Sequence, residues 1–266
     1  MSMSDGVATK RGRLIEVEAI FGRLLAFPDD LITNQIEKFG AHVRPELAMV
    51  LSMIEPGDHV FDLGAHIGTF TIPIAQKTGL AGKVVAVEAL QRTFRVLQRN
   101  IRKNGVEQVA TPVNALIGIP GARYAPVRNR KNSGGTHFEL GEGKRPAPAQ
   151  AVSIDMLCAQ YFQPRVIKID VEGFEFAALK DARVIAETRP ILYAEVSARS
   201  LRRLGHGIDD LDELLRRHEY RLFRNVAPRN AGNDTFEIRE LARLRDGGDF
   251  FDVLAIHKAD KRLPSL

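Results

Sequence analysis

The chain has 266 residues, 44% of them hydrophobic, enough to bury one full core as one large domain or one domain with additions. Its 38 Lys+Arg against 33 Asp+Glu leave a net charge of +5, which favours an acidic partner: a nucleic acid, a phosphorylated small molecule or an anionic glycan. No run approaches the roughly 20 apolar residues of a membrane span, and the single cysteine, Cys158, excludes an internal disulfide and a cysteine-built zinc site.

The start, MSMSDGVATKRGR, is basic but is not followed by the apolar stretch of a signal peptide, so a cytoplasmic protein is expected. Residues 13–27 alternate and turn at Phe21-Gly22, which predicts a small hairpin. DDLITNQIEKFG and RPELAMVLSMIEPG follow as two helices, the second opened by Pro45 and stopped by Pro56-Gly57. Residues 1–55 are thus expected to form a hairpin-and-helix lid, ahead of a main domain over 56–266.

From His59 the pattern alternates. Strands are predicted at His59–Leu63, Lys83–Glu88, Val109–Val113, Val166–Asp170, Ile191–Val196, Tyr220–Arg224 and Phe250–Lys258. Helices fit between them at Thr69–Lys77, Gln91–Asn104, Phe174–Thr188 and Ile208–Arg217. This predicts an α/β doubly wound parallel sheet covered on both faces. Residues 116–150, rich in Gly, Pro and Arg, break the alternation and are expected to form an inserted hairpin and loop over the sheet.

Such sheets bind ligands beyond the carboxyl ends of their strands. The stretch HVFDLGAHIGTF ends the first sheet strand in Asp62, then places Gly64 and Gly68 four residues apart around His66. The glycines allow close backbone approach, and the helix amino end that follows offers N–H groups to an anion. Glu88 ends the second strand, where a carboxylate suits two ribose hydroxyls. A dinucleotide fingerprint would space its glycines G-x-G-x-x-G, and Asp62 would repel a pyrophosphate, which disfavours a nicotinamide-dependent reductase. The same aspartate attracts the ammonium of an amino acid, and S-adenosylmethionine carries that ammonium, a carboxylate and a ribose. A second signal, VIKIDVEGFE, ends the fourth strand in Asp170, turns at Glu172-Gly173 and enters a helix at Glu175. Neighbouring strands bring Asp170 beside Asp62.

Taken together, VFDLGAHIGTFTIPIA, KVVAVEA, VIKIDVEGFE and PILYAEV resemble the FkbM family of S-adenosylmethionine-dependent methyltransferases over about residues 40–200, and NSGGTHF resembles the family's Asn-Gly-Gly segment. The resemblance implies a class I methyltransferase (Rossmann-like) sheet, in which the last strand, Phe251–His257, lies antiparallel between the fifth and sixth. It implies that Asp62, Gly64 and Gly68 surround the methionine end and that Glu88 holds the ribose. The family usually has asparagine at His66 and proline at Ala89. His66 can replace the amide as a hydrogen-bonding group, or it can face the acceptor and take a proton.

The expected reaction is O-methylation of a hydroxyl on a small molecule, sugar or natural product. The candidate bases are Asp170, Glu172 and His137, with Glu195 behind them. Asp170, Glu172 and Glu195 could alternatively gather around a Mg²⁺-type cation. Basic residues of the insert (Arg123, Arg128, Arg130, Lys131, Lys144 and Arg145) point to an acidic, phosphate-bearing or sugar-bearing acceptor. An RNA methyltransferase would share the cofactor site, although no basic-aromatic strip for bases to stack on is visible. A non-catalytic cofactor-binding protein is the remaining alternative, and the intact Asp170–Gly173 segment argues against it.

Overall fold

The computed structural model describes residues 13–122, 124–127, 137–140 and 150–262. The six basic residues of the insert named above, and the side chain of His137, lie outside the described residues.

The chain opens with the hairpin β1 (Ile15–Ala19) and β2 (Gly22–Ala26), whose register pairs Ala19 with Gly22 across a two-residue turn. Helices α1 (Leu31–Phe39) and α2 (Arg44–Ser52) follow. Asp30 caps α1 by accepting the Ile32 N–H at 3.0 Å, and Gly40 ends it in the left-handed region. The alternating part then runs β3 (His59–Leu63), α3 (Thr71–Thr78), β4 (Lys83–Val87), α4 (Gln91–Lys103) and β5 (Ala110–Val113). The insert contributes β6 (Ala115–Ile117), β7 (Tyr124–Val127), β8 (His137–Leu140) and β9 (Gln150–Val152); β7 and β8 form the expected hairpin, and β6 pairs with β9.

The second half runs α5 (Ile154–Gln160), β10 (Val166–Ile169), α6 (Glu175–Leu179), α7 (Arg183–Glu187), β11 (Ile191–Ser197), α8 (Ala198–Arg203), α9 (Ile208–Arg217), β12 (Tyr220–Asn225), β13 (Ile238–Leu241) and β14 (Phe250–His257). The helix expected over Phe174–Thr188 is two helices. The break has a cause: the Asp155 carboxylate of α5 accepts the Arg183 N–H at 3.0 Å and caps a new start there. Sequence reading also passed over α5, α8 and β13.

The central sheet has the order β13-β12-β14-β11-β10-β3-β4-β5. Strands β3, β4, β5, β10 and β11 are parallel, and β14 lies antiparallel between β11 and β12, as the resemblance implies. Successive strand residues face opposite sides, so Val60 joins the core beneath α1–α4 while Phe61 and Leu63 join the one beneath α5, α7 and α9. Burial on both faces explains why these strands read as continuous apolar runs rather than alternating ones.

Candidate active site

The register sets Leu63 beside Val87 and Ile169, and Ile169 beside Ala194. The next residues, Gly64, Glu88, Asp170 and Glu195, therefore emerge side by side at the carboxyl edge of the sheet. A cavity of about 740 Å³ opens over that edge, and all four line it. Its size lies well within the roughly 300–1,000 Å³ of small-molecule sites. Leu31, Gln35, His42 and Val43 close it from the amino-terminal elements, and Leu116, Val127 and Phe138 from the insert.

The loop after β3 has little freedom. Gly64 sits at φ +85, and a Cβ there would lie 1.8 Å from the Asp170 carbonyl oxygen, so any side chain collides with backbone. Its N–H and that of Ala65 both reach the Val87 carbonyl at 2.9 Å. His66 follows at φ +50, and with Val43 (φ +41) and Glu172 (φ +55) it places three strained non-glycine residues on the cavity wall. Such strain collects at functional sites. The amino end of α3 carries no side-chain cap, and the N–H groups of Thr69 and Phe70, both lining residues, meet no acceptor among the described residues.

Glu88 accepts the His66 N–H at 3.0 Å on Oε2 and the Leu90 N–H at 2.8 Å on Oε1. Burial pushes its carboxyl up to about 7, against the pull of those two N–H groups. Each oxygen keeps a further lone pair for a hydroxyl donor. Burial also lowers His66 to about 4 and His42 to about 3. Both imidazoles are therefore neutral at neutral pH, and His66 is a weak proton acceptor.

Asp62 and Gly68 are not on the cavity wall. Asp62 is fully buried; its Oδ2 accepts the Thr71 hydroxyl at 2.6 Å and its Oδ1 lies 3.4 Å from Lys168 Nζ. The cation that Asp62 meets is thus a side chain of the protein. Lys168 stands between the first and fourth strands: Nζ donates to the Gly64 carbonyl at 3.0 Å and lies 3.4 Å from Asp170 Oδ2. Burial pulls its pKa down, but Asp170 and Asp62 more than offset this, and the ammonium stays charged. Sequence reading quoted Lys168 within its motif and gave it no role. The available signal was a lysine flanked by Ile167 and Ile169 in a strand buried on both faces.

Asp170, Glu172 and Glu195 come together as expected, with carboxylate oxygens within 4.8 Å of one another. Arg229, which sequence reading did not find, holds the outer side: Nη2 is 3.0 Å from Glu195 Oε2 and Nε 2.9 Å from Asp252 Oδ2. Arg229 lies between β12 and β13, remote in sequence from its partners, so no local pattern announces it. Glu172 differs from its neighbours in having no cation within ion-pair distance among the described residues. Burial, then the charges of Asp170 and Glu175, push it up to about 8.

A sequence profile described as the Methyltransferase FkbM domain matches residues 62–222. A 23S rRNA (uracil(1939)-C(5))-methyltransferase RlmD from Acidithiobacillus ferrooxidans is 32% identical over 82 residues, 31% of this chain; the chain spans only 18% of that protein's length. Among solved structures, a methyltransferase FkbM from Methylobacillus flagellatus aligns at 20% identity over 74% of this chain and 43% of that one, with a TM-score of 0.45. A precorrin-6y C5,15-methyltransferase from Geobacter metallireducens aligns at 13% identity over 81% and 87%, with a TM-score of 0.46. The profile match runs from Asp62 of β3 to Leu222 of β12, well over half of the chain, and takes in Glu88, Asp170, Glu172 and Glu195: this chain belongs to the FkbM methyltransferase family.

Proposed function

We propose that the cavity binds S-adenosylmethionine on its Gly64–Glu88 side and methylates a hydroxyl of a small-molecule acceptor beside Asp170 and Glu172. The observation that carries this reading is one cavity with two differently built halves. On one side Glu88 and the uncapped amino end of α3 offer a ribose acceptor and an anion site; on the other, Glu172 is a half-buried carboxylate without a paired cation among the described residues. S-adenosylmethionine would supply the methyl group on its sulfonium. The ribose hydroxyls would donate to Glu88, and the Thr69 and Phe70 N–H groups would hold the methionine carboxylate. Lys168, fixed by three oxygens, sets the position of Asp170. Glu172 takes the hydroxyl proton as the acceptor oxygen attacks, and with a pKa near 8 it is a stronger base than an ordinary carboxylate. Residues 1–55 serve as the lid over the methionine end, which the place of α1 and Val43 on the cavity wall supports.

The test is calorimetric titration with S-adenosylhomocysteine, followed by turnover against hydroxyl acceptors. Glu88→Ala should weaken the affinity about tenfold or more. Glu172→Gln should keep it within about twofold while kcat falls at least ~10²-fold. The deprotonated form of Glu172 is the active one, so the wild-type rate should rise with pH to a plateau above about 8, and Glu172→Gln should remove that rise. Wild-type protein that is folded and does not bind S-adenosylhomocysteine would sink the reading.

The carboxylate cluster also fits the expectation of a divalent cation. We assign it to proton transfer instead, because Arg229 and Lys168 already lie against Glu195 and Asp170 and supply two of the positive charges the cluster needs. EDTA should therefore leave turnover unchanged, and recovery of a lost rate by Mg²⁺ would return the cluster to a cation. The rRNA methylation named for the RlmD relative and the charge of +5 favour RNA as the second reading. RNA binding that falls steeply with salt, together with methyl transfer to RNA, would put it first.

A further inference from the structure

Helix α8 forms the cavity wall beside the turn that carries Glu172. Gly173 makes the approach possible: at φ +107, a Cβ there would lie 2.6 Å from the Ser200 carbonyl oxygen. Across this contact Arg203 donates from Nη2 to the Glu172 carbonyl at 2.8 Å. Its Nε is buried and has no acceptor among the described residues. Arg199, one turn earlier, also lines the cavity; it is exposed and forms no ion pair or hydrogen bond with the described residues. Residues four apart share a helix face, so two like charges stand together and repel each other. The other cavity cations are occupied: Lys168 by Asp62 and Asp170, Arg229 by Glu195 and Asp252. The Glu172 carboxylate feels the charge of Arg203 but lies beyond ion-pair distance, so among the described residues a buried guanidinium nitrogen without an acceptor, beside a second unpaired guanidinium, has room for an anion in contact.

We propose that Arg199 and Arg203 form an anion subsite that holds a carboxylate or phosphate group of the methyl acceptor, setting its hydroxyl against Glu172. The proposal rests on the methyl-transfer reading given above and narrows its substrate to hydroxyl compounds that carry an anionic group. The planar guanidinium suits both anions, since it can meet two oxygens at once. The cofactor's own carboxylate is the other possible source of the same chemistry. The amino end of α3, in the other half of the cavity, provides for that carboxylate separately.

The experiment is calorimetric titration of inorganic phosphate into the full-length protein, with and without saturating S-adenosylhomocysteine. The variants are Arg199→Gln, Arg199→Gln/Arg203→Gln and Arg203→Lys. With the site of S-adenosylhomocysteine filled, wild type should bind phosphate and the double variant should bind it at least about tenfold more weakly. S-adenosylhomocysteine affinity should stay within about twofold in every variant. Arg203→Lys keeps the charge and loses the fork, so it should fall between wild type and the double variant. Equal phosphate affinity in wild type and the double variant would overturn the proposal. So would a tenfold loss of S-adenosylhomocysteine affinity with adenosine binding unchanged, which would give the arginines to the cofactor's carboxylate. If the double variant does not fold, Arg199→Gln alone decides, because it removes no contact within the described protein. Phosphate bound through these arginines in a protein that binds no S-adenosylhomocysteine would keep the anion subsite and refute the methyl-transfer reading.

Discussion

At the scale of single residues, the site depends on one buried cation. Lys168 is 3% exposed and Asp62 is fully buried, so each would be costly in the interior without the other. Lys168→Met leaves Asp62 charged, buried and held only by the Thr71 hydroxyl, and should lower the free energy of unfolding by roughly 3–5 kcal/mol. Adding Asp62→Asn removes the stranded charge, so the double variant should recover more than half of that loss in urea unfolding. A double variant as unstable as Lys168→Met alone would mean that Lys168 acts through the Gly64 carbonyl instead. The same pair shows what the sequence made legible. Gly64, Glu88, Asp170 and Glu172 could be placed from it because each stands at or just past a strand end, where a turn signal marks the chain. Lys168 and Arg229 could not, because their meaning lies in partners from other strands.

At the scale of elements, the end of α4 fastens the hairpin through two asparagines, Asn104 to the Arg23 backbone and Asn100 to that of Leu25. Asn100 of α4 accepts the Leu25 N–H at 2.8 Å and donates to the carbonyls of Leu25 at 3.0 Å and Ile67 at 2.9 Å. It thereby joins β2, α4 and the loop after β3, the loop that lines the cavity. Asn100→Ala leaves three polar backbone groups without their partner and should destabilise the protein by about 2–4 kcal/mol. It should also weaken S-adenosylhomocysteine, because the loop loses its tie at Ile67. Unchanged affinity in a folded variant would show the loop to be held by β3 and β4 alone. The long strands and α4 were legible because buried runs and a strong helical period repeat over many residues. The short helices α5 and α8 were not: each spans fewer than eight residues, too few for a period to stand out, and each begins on a serine that serves equally well in a turn. The split between α6 and α7 depends on Asp155, some 28 residues earlier in the chain, and no local reading of 174–188 contains it.

At the scale of the whole molecule, the two covered faces explain an unusual set of buried acids. A sheet enclosed on both sides leaves carboxylates near its edge little water, and burial is the first cause raising Glu46, Glu88 and Glu175 to about 7 and Glu172 to about 8. These groups keep their protons in the folded state up to pH 7–8, whereas in the unfolded chain they lose them near 4.5. Between those values the folded state binds more protons, so stability falls as pH rises. His42 and His66 act in the opposite sense, but only below their unfolded value of 6.5, because above it neither state is protonated. Between pH 6.5 and 8 the acids therefore act without opposition from these histidines, and the thermal midpoint should drop across that window. Glu46 isolates the effect. It lies on α2, away from the cavity lining, with Oε1 accepting from Asn225 Nδ2 at 3.1 Å and Oε2 buried without a partner among the described residues; after burial, Asp252 is the next cause of its raised pKa. Glu46→Gln keeps the acceptor for Asn225 and cannot ionise. It should leave the midpoint nearly unchanged at about pH 4, raise it by several degrees at pH 8 and flatten the slope between. A midpoint equally raised at both pH values would trace the gain to packing, and a wild-type midpoint that is flat or rises from pH 6.5 to 8 would refute the assignment of these acids as protonated in the fold.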